Sequence, residues 1–233
     1  MNILAIDTSS LNATVSVIND DKLLGEFTIS NKNTHSQIIM PMLDEMLKFA
    51  GVDIDDIDIF ATAIGPGSFT GLRIGIATAK ALCQGGRKKI IGVSALEGLA
   101  ENVYQESKII CPIIDARRGD VYNALYLNGE CIVKERAINI ECLIDELNNV
   151  DKKVVFVGDG VLLHRELIIE KLGDKAELAP PTKIMAKASS IAYIALRRAK
   201  NNDFDDIYNL EPIYLRQSQA EREYINTIVA QNA

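Results

Sequence analysis

Tryptophan is missing from this 233-residue chain, histidine occurs twice, and aromatic residues make up 6% of it. The two histidines, His35 and His164, stand far apart with no H-x-x-x-H or H-E-x-x-H between them, so a histidine-based metal centre of the usual kind is not expected. A serine–histidine–aspartate triad could be drawn with His35, but no G-x-S-x-G elbow accompanies it, and a helix-start histidine with a structural hydrogen bond is the simpler reading. The four cysteines, Cys83, Cys111, Cys131 and Cys142, form no C-x-x-C pair and read as buried thiols of a reducing compartment. The first basic residue is Lys22, so the positive start of a secretory signal is lacking. No apolar run approaches the roughly 20 residues of a membrane helix. A cytoplasmic protein is expected. Glycine and proline are not enriched, no segment is low-complexity, and 48% hydrophobic with 24% charged residues is ordinary globular composition. Positive charge is also short: 25 Lys and Arg face 32 Asp and Glu, a net charge of −7 that repels phosphate backbones at long range. The local basic clusters Arg87-Lys88-Lys89 and Arg117-Arg118 read first as solvated surface.

What is present is an ordered series of apolar segments. Residues 2–6, 13–18 and 23–29 alternate loosely and are bounded by turn residues, which predicts a three-strand antiparallel meander. A helix is predicted over 36–50, with Thr34 or Ser36 as N-cap, Pro41 near its first turn and Gly51 ending it. A buried strand at 57–64 runs into a glycine-rich loop, followed by a helix at 72–84, a short strand at 90–93 and a helix capped by Ser94 that reaches about 104. The pattern then recurs. An apolar strand at 109–114 ends at Asp115-Ala116 as the first ended at Asp7-Thr8, 108 residues earlier and near half the chain length. Strands at 121–127 and 131–138 follow, joined by Asn128-Gly129, a type I′ hairpin signal. A helix at 141–147, a strand at 154–157 and helices at 162–172 and 186–198 complete the half. The reading is an α/β chain of two duplicated βββαβα domains, residues 1–106 and 107–233, with a final tail able to pack back on the first domain.

The loop from Gly65 to Gly71 holds three glycines and a proline between strand and helix. Backbone N–H groups at such a helix start can bind an anion, but the Gly-Lys-Ser/Thr of a P-loop is lacking, and a tight turn with close backbone approach is favoured. In the following helix Gly71, Gly75 and Ala79 recur every four residues, and Ala77 and Ala81 add a second small stripe. The helix before it carries Met40, Met42 and Met46, three of five methionines, beside Ile39, Leu43, Leu47 and Ala50. Apolar residues over so much of one helix mark either a core helix or one covered by a partner. Asp7-Thr8-Ser9-Ser10 stands where an actin-like ATPase holds its phosphate hairpin, and Asp7 could hold magnesium through water; an Asx-type turn is the alternative. Residues 157–160, Val-Gly-Asp-Gly, are a similar weak nucleotide-loop candidate.

The run Gly65-Pro66-Gly67-Ser68-Phe69-Thr70-Gly71-Leu72-Arg73-Ile74-Gly75 resembles the signature of the TsaB (YeaZ) family, the subunits of bacterial tRNA threonylcarbamoyladenosine synthesis placed in the glycoprotease, or M22-like, group. Supporting runs are Ile6-Asp7-Thr8-Ser9, His35-Ser36, Asp115-Ala116-Arg117-Arg118-Gly119-Asp120-Val121-Tyr122, Pro212-Ile213-Tyr214-Leu215-Arg216 and Ala220-Glu221, so the likeness spans essentially the whole chain. The resemblance implies an actin/Hsp70/sugar-kinase-like (ASKHA, RNase H-like) fold. It implies a scaffold role in making threonylcarbamoyladenosine at position 37 of tRNAs that read codons beginning with A. The transferase of that pathway, TsaD, holds a metal through an H-x-x-x-H motif that this sequence lacks, so no catalytic or metal-ligating residue is carried over. Partners implied are a TsaD-type transferase and a TsaE-type ATPase, with a homodimer when alone, tRNA met only through the complex, and no membrane. No cofactor is intrinsic, and ATP or ADP would be bound by partner subunits. The family pairs through a bundle of its first two helices, which puts Ile39, Met42, Leu43, Met46, Gly71, Leu72, Gly75, Thr78, Ala79 and Leu82 at the expected interface. Asp7, Thr8 and Ser9 are the candidates for a vestigial nucleotide site. The alternatives are an independent actin-like ATPase or kinase and, with little support, a peptidase using His35 or Ser36.

Overall fold

Strand β1, Asn2–Asp7, is buried along all but its first residue, as a strand covered on both faces must be. The computed structural model, which describes residues 1–20, 22–30 and 34–216, places it at the centre of a five-stranded sheet. On one side it pairs antiparallel with β2 (Ala13–Asn19), which pairs antiparallel with β3 (Lys22–Ile29). On the other it pairs parallel with β4 (Ile59–Gly65), which pairs parallel with β5 (Lys89–Ser94). The parallel steps need crossovers, supplied by α1 (His35–Ala50) and α2 (Phe69–Gly86), and α3 (Ala95–Glu101) leaves the last strand. The sheet order is β3-β2-β1-β4-β5.

The second half repeats this order. Strands β6 (Ile109–Asp115), β7 (Asp120–Leu127) and β8 (Glu130–Asn139) form the meander, and Asn128 and Gly129 both sit at positive φ, as a type I′ turn requires. Helix α4 (Ile140–Asn148), β9 (Val154–Val157), α5 (Gly160–Leu172), β10 (Ala176–Leu178) and α6 (Ala188–Lys200) follow, with sheet order β10-β9-β6-β7-β8. Each half is therefore βββαβαβα, one strand and helix longer than the βββαβα repeat expected. Strand β10 escapes sequence reading because three half-buried residues carry no period.

Alternation along the first sheet divides the core. Leu4, Ile6, Val15, Val17 and Phe60 face α1 and α2, while Ile3, Ala5, Ala61, Ala63, Ile91 and Val93 face the larger core shared with α3, α6 and the second sheet. Helix α6 follows the second sheet in sequence but lies on the first: Ala188 N donates to Thr14 Oγ1 at 3.3 Å and Ser189 N to Glu26 Oε1 at 2.8 Å. The chain beyond stays there, with Asp205 N donating to the Ile90 carbonyl at 3.0 Å and Ile213 N to that of Ile64 at 2.7 Å. Residues 1–106 and 107–216 thus carry one sheet each, but α6 and the segment after it cover the first sheet. Residues 217–233, with Ala220-Glu221, lie outside the described residues. The cysteine expectation holds for Cys83 and Cys111 only. Cys131 and Cys142 are exposed, the first on the edge strand β8 and the second on the outer face of α4.

Candidate functional site

The turn after β1 and the glycine-rich loop after β4 are packed backbone to backbone. Ser68 N donates to the Ser9 carbonyl at 2.7 Å, and Thr8 Oγ1 donates to the Gly71 carbonyl at 2.8 Å. A β-carbon on Gly67 would stand 2.3 Å from Ser9 O, one on Gly71 2.0 Å from Thr8 O, and one on Gly75 2.5 Å from Thr8 Oγ1. The glycines are there because anything larger would drive the turn and the loop apart. Ser68 caps α2, its Oγ accepting from Gly71 N at 3.2 Å and its carbonyl from Leu72 N at 2.8 Å. The N–H groups of Ser68, Gly71 and Leu72 are thus engaged by the chain itself, and the close-approach reading accounts for the loop.

Asp7, Thr8 and Ser9 are all buried. Asp7 Oδ1 accepts from Ser9 N at 2.8 Å, an Asx-type turn. Burial pushes the Asp7 carboxyl above its usual range, against the lowering effects of the Ser9 hydrogen bonds and of His35. Ser9 Oγ is buried without a hydrogen-bond partner among the described residues. His35, at the start of α1, places Nε2 3.0 Å from the Ser10 carbonyl, which can only accept, so Nε2 carries the hydrogen. That is the structural bond expected of it. Ser36 lies beside Thr34, their hydroxyls 3.3 Å apart.

The second half copies the turn. Asp115 Oδ1 accepts from Arg117 N at 2.8 Å, two residues on, as Asp7 does from Ser9. Asp159 Oδ1 accepts from Asp115 N at 3.1 Å, and burial pushes the Asp159 carboxyl up. A β-carbon on Gly158, at φ 108°, would stand 2.2 Å from the Ile113 carbonyl, so the 157–160 loop is again a close strand-to-helix turn. Among the described residues no group of three His, Cys, Asp or Glu is placed to hold a metal ion, and no helix is long and apolar enough to cross a membrane.

The helix residues expected at a partner interface divide by face. Ile39, Met42, Leu43 and Met46 are buried against the chain's own first sheet, as is Ala79, and Leu72 is buried beside Gly65. Gly71 and Gly75 are buried against the β1–β2 turn, so this small-residue stripe admits that turn and not a partner helix. Thr78 and Leu82 are half-buried, Thr78 Oγ1 bonding the Ile74 carbonyl at 2.8 Å. Helical period places residues on a common face but does not say whether that face turns inward. The accessible side of the pair carries Met40, 47% exposed, on α1, with Arg73, Ala77 and Ala81 exposed on α2; Phe49, 77% exposed, stands about half a turn round α1 from Met40, beside Phe27 of β3.

Two further features join segments far apart in sequence. The segment Pro212-Ile213-Tyr214-Leu215-Arg216 straps the halves together. Tyr214 stacks on Phe69 with ring centroids 4.4 Å apart, Arg73 Nε donates to Tyr214 Oη at 2.9 Å, and Arg216 Nη1 reaches the Ala116 carbonyl at 2.8 Å and Asp120 Oδ2 at 3.0 Å. Beneath it a cavity of about 450 Å3 is lined by Ser94, Glu97, Tyr126, Cys131, Glu135 and Leu215 among others. Ser94 Oγ donates to Glu135, burial pushes the Glu97 and Glu135 carboxyls up, and partial desolvation together with the nearby Glu135 and Glu97 charges pushes the Cys131 thiol up. Partners 41 to 145 residues apart leave no local signal.

A family model described as TsaD: tRNA N6-adenosine threonylcarbamoyltransferase matches residues 22–224. The chain is 33% identical over 231 residues to the tRNA threonylcarbamoyladenosine biosynthesis protein TsaB of Bacillus subtilis, covering 97% of this chain and 99% of that one. It is 31% identical over 230 residues to the Escherichia coli protein of the same name, covering 94% and 96%. Among solved structures, YeaZ from Pseudomonas aeruginosa matches with a TM-score of 0.74 and 24% identity over 92% of this chain and 99% of that one. With the duplicated sheets, that likeness makes the fold an actin/Hsp70/sugar-kinase type. The model's description names the transferase of the group, while the relatives matched end to end carry the TsaB name. The chain belongs to the TsaB (YeaZ) family of tRNA threonylcarbamoyladenosine biosynthesis proteins.

Proposed function

We propose that this chain is the non-catalytic scaffold subunit of the cytoplasmic complex that makes N6-threonylcarbamoyladenosine at position 37 of tRNA. It pairs with a TsaD-type transferase, is joined by a TsaE-type ATPase, forms a homodimer when alone and meets tRNA through the complex. The carrying observation is the state of the β1–β2 turn. Thr8 Oγ1 and the Ser9 carbonyl are bonded to the chain's own glycine loop and Ser9 N to Asp7, which leaves the turn serving as a packing joint. Adenine nucleotide is accordingly assigned to the partner subunits. The pairing surface is the outer side of α1 and α2, where Met40, Ala77 and Ala81 offer apolar side chains to solvent.

The test is to mix the chain with the transferase subunit of its own organism, follow assembly by size-exclusion chromatography with light scattering, and assay tRNA modification with and without it. A stable heterodimer and modification that depends on this chain are expected. Full modification without it would overturn the scaffold reading. Magnesium-dependent nucleotide binding by the chain alone, abolished in Asp7→Ala, would replace it with that of an independent ATPase.

A further inference from the structure

Two adjacent arginines in the β6–β7 turn hold a backbone conformation that side chains seldom adopt. The φ angle is 69° at Arg117 and 60° at Arg118, ahead of Gly119 at 80°. The turn is clamped in that shape. Arg117 N donates to Asp115 Oδ1 at 2.8 Å, Asp120 N to the Arg117 carbonyl at 3.2 Å, and Ile140 N to the Gly119 carbonyl at 2.9 Å. From across the strap, Arg216 Nη1 donates to the Ala116 carbonyl at 2.8 Å. Asparagine or glycine would sit in such a turn with less strain. Arginine kept at both positions, in a turn otherwise over-determined by its neighbours, points to a use for the side chains.

Both guanidinium groups face solvent. Arg117 is 82% exposed, with a single ion pair of 3.5 Å to Asp115, and Arg118 is exposed with no ion-pair or hydrogen-bond partner among the described residues. The other acid of the turn, Asp120, is already paired with Arg216. Two residues before Arg216 stands Tyr214, partly exposed, one ring face on Phe69 and its hydroxyl on Arg73. Two residues of chain span at most about 7 Å, so the Arg73–Tyr214 stack and the Arg117–Arg118 turn flank the same strap.

We propose that this edge contacts the sugar–phosphate backbone of tRNA within the complex. Arg117 and Arg118 each engage a phosphate through their planar forks, and the Tyr214 ring offers a surface on which a base or ribose rests. The inference rests on the subunit reading above for the identity of the nucleic acid. The net charge of −7 opposes RNA at long range, but screening confines that repulsion to about 8 Å at physiological salt. The contact therefore operates once partner subunits have brought the RNA close.

The double variant Arg117→Asn/Arg118→Asn removes both guanidinium groups and installs residues that tolerate the left-handed backbone better, so thermal unfolding should be unchanged or raised. Assembled with its partner subunits, it is titrated with unmodified tRNA across a salt series. Affinity is expected to fall about tenfold or more, and the slope of log K against log salt to lessen by about one for each lost contact. The matched control Lys152→Asn/Lys171→Asn, exposed lysines outside the β6–β7 turn and the strap, should bind as the wild type. Unchanged affinity and slope in an intact complex would overturn the proposal and leave the subunit reading standing. So would an equal loss in the lysine control, which would mean bulk charge, or failure of the arginine variant to enter the complex, which would assign the pair to assembly. Failure of the wild-type chain to form any complex would instead remove the reading beneath.

Discussion

Single atoms decide what the glycines of α2 are for. Gly75 has no room for a β-carbon, with Thr8 Oγ1 at 2.5 Å and Thr62 Oγ1 at 3.4 Å from where it would sit. Gly75→Leu should therefore cost about 3 kcal/mol or more of stability by overpacking, read as a lower urea midpoint. Wild-type stability in that variant would show that the turn can yield. Any loss of partner binding by Gly75→Leu would be a loss of fold. Asp7 offers a test with a sign. Its folded carboxyl is raised by burial, so the folded state holds the proton more tightly than the unfolded chain. Stability is then lost as pH rises from about 4, where the unfolded carboxyl ionises, through the folded value. Asparagine cannot ionise, and its side-chain oxygen can still accept from Ser9 N. Asp7→Asn should gain on the wild type between pH 4 and pH 7 in paired denaturation curves. A difference that stays constant across that range would show that the carboxyl does not titrate differently on folding.

At the scale of elements, α1 and α2 were legible as helices and as an apolar pair, but not as to which sides they bury. Ile39, Met42, Leu43 and Met46 follow the period of a helix face, and the period is the same whether the cover is the chain's own sheet or a second protein. The structure gives that face to β2 and β3, with Met46 against Gly25, and leaves Ala77 and Ala81 outside. Ala81→Arg should thus leave stability within about 0.5 kcal/mol of the wild type and still block the heterodimer, seen as two separate peaks by light scattering. A normal heterodimer would move the partner surface off this side of α2. The type I′ turn at Asn128-Gly129 and β9 at Val154–Val157 were readable because their signals are local. Strand β10 was not, being held by its parallel partner β9 and not by any pattern of its own.

For the whole molecule, the duplication first visible in Asp7 and Asp115 extends to hydrogen bonds, each carboxylate capping the amide two residues on. The two sheets share a strand order, yet the halves are not independent bodies. Helix α6 crosses to the first sheet, and the strap from Ile213 to Arg216 bonds both β4 and the β6–β7 turn. The outer side of α2 carries Arg73, which touches the strap at Tyr214, so a partner seated on α2 and a nucleic acid at the Arg117–Arg118 turn would lean on the same strap. Complex assembly and tRNA affinity, tested as above, are for that reason to be measured on one set of variants.

By itself the sequence determined the order and kind of nearly all the elements, the duplicated plan and the family. These rest on hydrophobic period, turn residues and one long motif, all of which act over a few neighbouring residues. Only the tertiary structure decided which helix faces are interior, why three glycines had to be glycine, that Cys131 and Cys142 are exposed, that α6 belongs to the first sheet, and that Tyr214 and Arg216 bind the halves together. Those are matters of close contact between segments up to 174 residues apart. Such contacts are set by packing density and by the satisfaction of buried polar groups across the whole chain.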